Sequence, residues 1–339
     1  MDPTAKRAAS AAPAAAIAPL VAPDAATSPA SASEVRRAVA IAIVANFVGG
    51  TSYALTKVAL DGLTETTIIV VRTVVALAVL VPVARGHLVP LLRARGGDRL
   101  RLFAMAVLGY ALPLVLGSYG VRRSTATNAA LLIGTEPLGV VLLGAVVLGE
   151  AITRARLTAL ALGIVGATVL VTNGIPFVTV TYAPHPVGDT LLVMHGFAWA
   201  IYTVAAKGLL ARYDPLGVSA ASLLVALPFL SAAAAIEARA FDWDAARLVP
   251  SLAAAVTLGL VVSAGMTVLW NRALRHLDAS RMAGFIFLQP LTGMLIGVAF
   301  LHEPVTFYAL IGSALILVGV FVVAHEERAK ISGVRHPMD

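Results

Sequence analysis

The chain has 339 residues, of which 59% are apolar and only 13% charged, about half the charged share of roughly 25% that soluble domains carry. With a mean hydropathy of +0.89, too little polar surface remains to face water, which argues against a soluble enzyme and a disordered chain. Cysteine is absent, which excludes disulfides, thiolate metal sites and a catalytic thiol; the net charge of +7 is spread between apolar runs and points to a membrane surface.

Residues 1–33 are mostly Ala, Pro, Ser and Thr, interrupted by Pro3, Pro13, Pro19, Pro23 and Pro29. They lack the unbroken apolar core of a signal peptide and read, over 1–35, as a disordered cytoplasmic tail. Ten apolar segments follow: 38–58, 65–84, 102–119, 125–148, 157–173, 187–207, 215–236, 249–270, 280–301 and 306–325. Each approaches the ~20 residues that a spanning helix needs. The pattern predicts an all-α polytopic membrane protein of ten transmembrane helices with a short tail over 327–339. Its one necessary partner besides a solute is the lipid bilayer.

Basic residues fix the expected orientation, because cytoplasmic loops carry the excess of Lys and Arg. With the amino terminus inside, 18 of the 25 basic residues fall in inner segments and 4 in outer loops. The split places both termini in the cytoplasm and favours an even number of spans.

The two halves repeat. Glu136-Pro137-Leu138 aligns with Gln289-Pro290-Leu291 at an offset of 153, which also pairs Arg122 with Arg275, Glu150 with Glu303 and Gly166 with Gly319. Near the start of each half the offset is 150, pairing Phe47 with Phe197 and Lys57 with Lys207. Five spans per half is an odd number, so the second copy must be inserted upside down, an arrangement that places a solute site at the interface of the halves. The expected units are 36–174 and 186–326.

These residues carry a resemblance. Phe47-Val48-Gly49-Gly50 with Lys57, Trp199-Ala200-Ile201-Tyr202 with Lys207, Arg72, and the paired Glu136-Pro137-Leu138…Gly149-Glu150 and Gln289-Pro290-Leu291…His302-Glu303 stand in repeated order. Over residues 38–325 the chain resembles the EamA-type transporters of the drug/metabolite transporter superfamily. That resemblance implies two inverted five-helix repeats and movement of small metabolites or drugs across the plasma (inner) membrane, often outward.

Arg72 stands near the middle of the second expected span, where a charge costs about 2.5–3.5 kcal/mol unless a partner or water meets it. Its planar fork suits a carboxylate or phosphate; the alternative is a bond to backbone carbonyls or to Glu136. Glu136 sits mid-span four, with neutral Gln289 as its repeat mate, and is a candidate for solute binding or for coupling to protons. His195, Trp199 and Tyr202 follow i, i+4, i+7 spacing on one helical face, as Asn46 and Tyr53 do at i, i+7. Both stripes are candidate cavity walls, and His195 is a second proton-coupling candidate. Lys57 and Lys207 at span ends are expected to reach lipid headgroups. Glu150 and Glu303 cap loops or act as gates. Gly293-x-x-x-Gly297 is a helix-packing or homodimer face.

No phosphate-binding loop, zinc-binding helix or nucleophile elbow occurs, so no cofactor, metal, catalysis or nucleic acid is expected. The expected activity is secondary active export by alternating access. The alternatives are an uncoupled facilitator or exchanger, and, remotely, a membrane-embedded enzyme on a lipid-linked substrate or a non-transporting scaffold.

Overall fold

A computed structural model describes residues 31–123, 132, 135–172, 174, 185–237, 245–301 and 306–333, and among these the regular structure is entirely helical. Helices α1 (Ala32–Leu60) and α2 (Glu65–Leu92) open the first half. A composite rod follows, made of α3 (Gly97–Phe103), a π-helical stretch π1 (Ala104–Ala111) and α4 (Leu112–Arg122). Then come α5 (Thr135–Leu148) and α6 (Arg154–Thr172). The second half repeats the order with α7 (Pro186–Leu210), α8 (Pro215–Glu237) and a rod of α9 (Ala245–Thr257), π2 (Leu258–Met266) and α10 (Thr267–His276). It closes with α11 (Ala279–Ile286), α12 (Leu288–Leu301) and α13 (Phe307–Gly333).

Seven of these rods are long and apolar enough to cross a bilayer. The fourth expected span is represented by the shorter apolar α5, the fifth by α6, and the ninth by α11 and α12. Residues 1–30 of the tail expected over 1–35, residues 334–339 of the tail expected over 327–339 and the gate candidate Glu303 lie outside the described residues; residues 32–35 open α1 instead of belonging to a tail, and nothing is described of the side chains of Tyr53 and Lys57.

Local chemistry sets the boundaries. Ser31 and Glu34 form a reciprocal capping box: Glu34 N–H donates to Ser31 Oγ at 3.3 Å and Ser31 N–H donates to Glu34 Oε2 at 2.8 Å. The box starts α1 at Ala32, ahead of the expected 38. Thr64 Oγ1 accepts from Thr67 N–H at 3.2 Å and starts α2. The last helix runs on to Gly333, past the expected span end at 325, because His-Glu-Glu-Arg-Ala-Lys contains several strong helix formers.

Proline explains the break in the ninth expected span. Pro290 lacks an N–H and its ring crowds the carbonyl four residues back, which is that of Ile286, the last residue of α11. Pro113 acts likewise on Gly109, inside π1, whose wider turn accommodates the ring. Residue 266, the repeat mate of Pro113, is a methionine, so proline does not account for π2. Even so, the two π segments occupy repeat-equivalent places.

The contacts obey the repeat. Helices α6 and α13 cross backbone to backbone: a Cβ on Gly312 would stand 2.6 Å from Gly166 O, and one on Gly319 would stand 3.0 Å from Ala159 O. The offset of 153 maps Ala159 onto Gly312 and Gly166 onto Gly319, so the second contact is the image of the first. Similarly, α1 meets α12 where Gly50 abuts Thr292, and α7 meets α5 where Ala200 abuts Gly139. Large apolar side chains point outward, among them Val83, Val146, Phe307 and Phe321. That is the surface lipid requires. Small residues such as Ala42, Ala45, Ala76 and Ala106 are fully buried between helices, as close packing without a hydrophobic driving force demands.

Candidate functional site

Four groups of polar side chains sit between the helices. The first joins α1 to α12. Asn46 is fully buried; its Nδ2 donates to Ala42 O at 2.9 Å and its Oδ1 accepts from Gln289 Nε2 at 3.1 Å. These two expected site residues thus bridge the halves through one amide-to-amide hydrogen bond.

The second joins α2 to π2. Arg72 Nε donates to Ser263 Oγ at 2.8 Å. No ion pair with Glu136 forms among the described residues, and there the two Nη nitrogens have no hydrogen-bond partner. Gly259, one turn earlier in the π2 rod, lets the helices meet, since a Cβ there would lie 2.8 Å from Arg72 O. Sequence reasoning missed Ser263; its hydroxyl in an apolar run, aligned with Tyr110 of π1 by the offset of 153, was the available signal.

The third is aromatic and centres on α7. The Trp199 ring stands edge-on to His195, Tyr202 and Tyr110, with centroids 6.3, 5.9 and 5.9 Å apart. The expected stripe therefore exists as a contact cluster, to which π1 adds Tyr110. His195 Nδ1 lies 2.7 Å from Pro113 O; a carbonyl only accepts, so Nδ1 carries the proton and ties α7 to α4. Tyr202 is buried, and its hydroxyl accepts from Asn271 Nδ2 at 2.9 Å. Glu136 lies in the first turn of α5, at the flank of its buried face. It is six residues from Leu142 and so about 120° around the helix from the exposed stripe of Leu138, Leu142 and Val146.

The fourth group fastens the end of the bundle expected to face the cytoplasm. Glu150 reaches across the repeat boundary, its carboxylate accepting from Ala279 N–H at 2.8 Å and Ser280 N–H at 2.9 Å, donors that the first turn of α11 cannot satisfy within the helix. Arg156, itself buried, donates to Ser280 Oγ at 2.6 Å and Ala151 O at 2.9 Å and pairs with Asp278. Lys207 does not reach for headgroups: its Nζ donates to Leu274 O at 2.8 Å and Leu277 O at 2.6 Å, capping α10. Asp98 gathers Arg101, Arg212 and Tyr213. Partial burial and the hydrogen bond donated to Asp98 push the Tyr213 hydroxyl above the ordinary tyrosine value, so it stays a donor at neutral pH. Charge counting assigned Arg156 and Arg212 to loops and gave no sign that they were structural.

A cavity of about 360 Å³ opens beside Val58, Asp61, Arg247 and Pro250, at the ends of α1 and α9. It touches none of the expected site residues.

A family model described as the EamA-like transporter family matches residues 36–172 and again residues 186–324. The chain belongs to the EamA-like transporter family. Among relatives of this EamA-like protein, an uncharacterized transporter of Archaeoglobus fulgidus is 28% identical over 239 residues, covering 70% of this chain and 80% of that one. A probable terminal-alkyne amino-acid exporter of Streptantibioticus cattleyicolor is 29% identical over 267 residues, covering 79% and 86%. A solved crystal structure superimposes with a TM-score of 0.71 at 18% identity, over 86% of this chain and 96% of that one, which shows the shared fold. The protein is thus a multi-pass membrane protein of a transporter family.

Proposed function

We propose that this EamA-like protein exports a small organic solute bearing a carboxylate, by rocking one five-helix half against the other in the plasma membrane with both termini cytoplasmic. The observation that carries the reading is Arg72. Its Nε is held by Ser263 across the halves, while its two Nη nitrogens have no hydrogen-bond partner among the described residues. A guanidinium fixed by one nitrogen presents the other two as a fork for a planar anion. Similarity to the probable terminal-alkyne amino-acid exporter of Streptantibioticus cattleyicolor supports an amino-acid-like solute.

The test is flux of L-norvaline, a small aliphatic amino acid, through proteoliposomes. Arg72→Ala is expected to cut the rate by at least tenfold, roughly the 1.4 kcal/mol or more that a charge-assisted pair contributes. Arg72→Lys keeps the charge but loses the fork, and is expected to recover only part of the rate. Parental flux in Arg72→Ala would overturn the assignment. Of the two proton-coupling candidates, His195 has one ring nitrogen committed to Pro113, which favours Glu136. Coupling predicts that collapsing an imposed pH gradient slows export; an equal rate would support the uncoupled facilitator.

A further inference from the structure

Asp278 precedes α11 in the extended conformation of an N-cap residue (φ −62°, ψ 149°), yet its side chain makes no cap bond. It pairs instead with Arg156 of the first half. The cap comes from Glu150, also of the first half, whose carboxylate accepts from Ala279 N–H at 2.8 Å and Ser280 N–H at 2.9 Å. A helix of the second half is thus capped by a carboxylate of the first, while its own carboxylate serves the first half's guanidinium. Glu150 and Arg156 also stand 3.7 Å apart within their own half.

The same groups have a second satisfied arrangement. When the halves part here, Glu150 keeps Arg156, and Asp278 can turn onto its own Ser280 N–H, the bond that an N-cap aspartate ordinarily accepts. Neither arrangement strands a charge, which removes the penalty that makes most buried ion pairs hard to break. We infer that the α10–α11 turn is a latch between the halves, closed by Glu150 and opened when Asp278 takes over the cap. One element with two discrete arrangements is what a switching transition requires. The latch is one-sided. The offset of 153 carries Arg156 onto Ala309 and Asp278 onto Thr125, so the equivalent positions at the opposite end carry neither the guanidinium nor the second carboxylate. The inference rests on the rocking of the halves proposed above, which places the latched end at the cytoplasm.

The chain has no cysteine, so one introduced thiol reports alone. Ala283, one turn into α11, is 1% exposed, and Ala283→Cys in the full chain should react with a membrane-impermeant maleimide only while the latch is open. Asp278→Asn loses the charge that pairs with Arg156 but can still cap, and is expected to raise the labelling rate a few-fold. Asp278→Ala loses both roles and is expected to be labelled about fivefold more slowly than Asp278→Asn, because the open arrangement has lost its cap. A clamp without the exchange would not separate these two variants. Hydrogen exchange at Ala279 N–H, which Glu150 holds and a cap on Ser280 leaves bare, should rank the variants in the same order, and carries the test if Ala283→Cys does not fold. An Asp278→Asn rate no higher than the parent's, or an Asp278→Ala rate equal to that of Asp278→Asn, would overturn the inference. The expected ranking without norvaline flux leaves the latch standing and removes the transporter reading. Flux without the ranking does the reverse.

Discussion

Arg156→Ala is expected to destabilise the protein by about 3–5 kcal/mol, the usual cost of stripping one partner from a buried ion pair. The side chain is 4% exposed and Glu150, 3.7 Å from its Nη1, is 9% exposed. Removing the guanidinium leaves Glu150 buried with its two backbone N–H donors as compensation. Asp278 matters less, since its side chain is 45% exposed and water screens it. The measurement is the melting temperature in detergent, which should fall by several degrees. Glu150→Gln keeps an acceptor toward Ala279 and Ser280 and should cost less than Arg156→Ala. The double variant should cost less than the sum of the two, because the residues share one network. A change below about 1 kcal/mol in Arg156→Ala would mean that the pair behaves like a surface salt bridge.

Gly312→Leu should have a comparable effect by a different route. A Cβ there would meet Gly166 O at 2.6 Å and Leu170 N at 2.7 Å, both backbone atoms that cannot swing aside. Overpacking costs about 1–3 kcal/mol where side chains can adjust, and more where they cannot. Gly319→Leu, at the image of this contact, meets Ala159 O at 3.0 Å and Leu162 Cβ at 3.3 Å and should be milder. Gly86→Ala has nothing within 4 Å and serves as the control. It should be neutral or stabilising by up to about 1 kcal/mol, from helix propensity alone. Thermal unfolding of the three variants should therefore rank Gly312→Leu below Gly319→Leu and both below Gly86→Ala. Equal melting points would mean that the two helices separate easily.

Much of this is legible in the amino-acid order alone. Apolar runs of spanning length, the bias of Arg and Lys, and a fixed offset joining Glu136-Pro137-Leu138 to Gln289-Pro290-Leu291 established the class and the repeat, because each reflects a constraint that bilayers impose on composition. The boundaries were less legible. The capping box at Ser31 and Glu34 was present in the sequence, yet hydropathy is blind to caps. The break at Phe287 could be anticipated from Pro290, whereas π2 has no proline to announce it. Site partners were the least legible. Arg72 meets Ser263 from 191 residues away, and nothing local to either predicts the pairing. Lys207 shows the same limit: a lysine at a span end reads as a headgroup anchor, but a helix end ending nearby offered it carbonyls instead.

The crossing of α6 and α13 has a mechanical consequence. Because main chain touches main chain on both sides of the crossing, few side chains, Leu162, Leu170 and Leu315 among them, lie between the rods to be re-sorted when the angle changes. Such a junction resists separation and tolerates turning, like the rivet of a pair of scissors. If the halves rock as proposed, these two rods would stay in contact throughout, with the largest excursions at the far ends of the blades, where Glu150 and Arg156 hold α11.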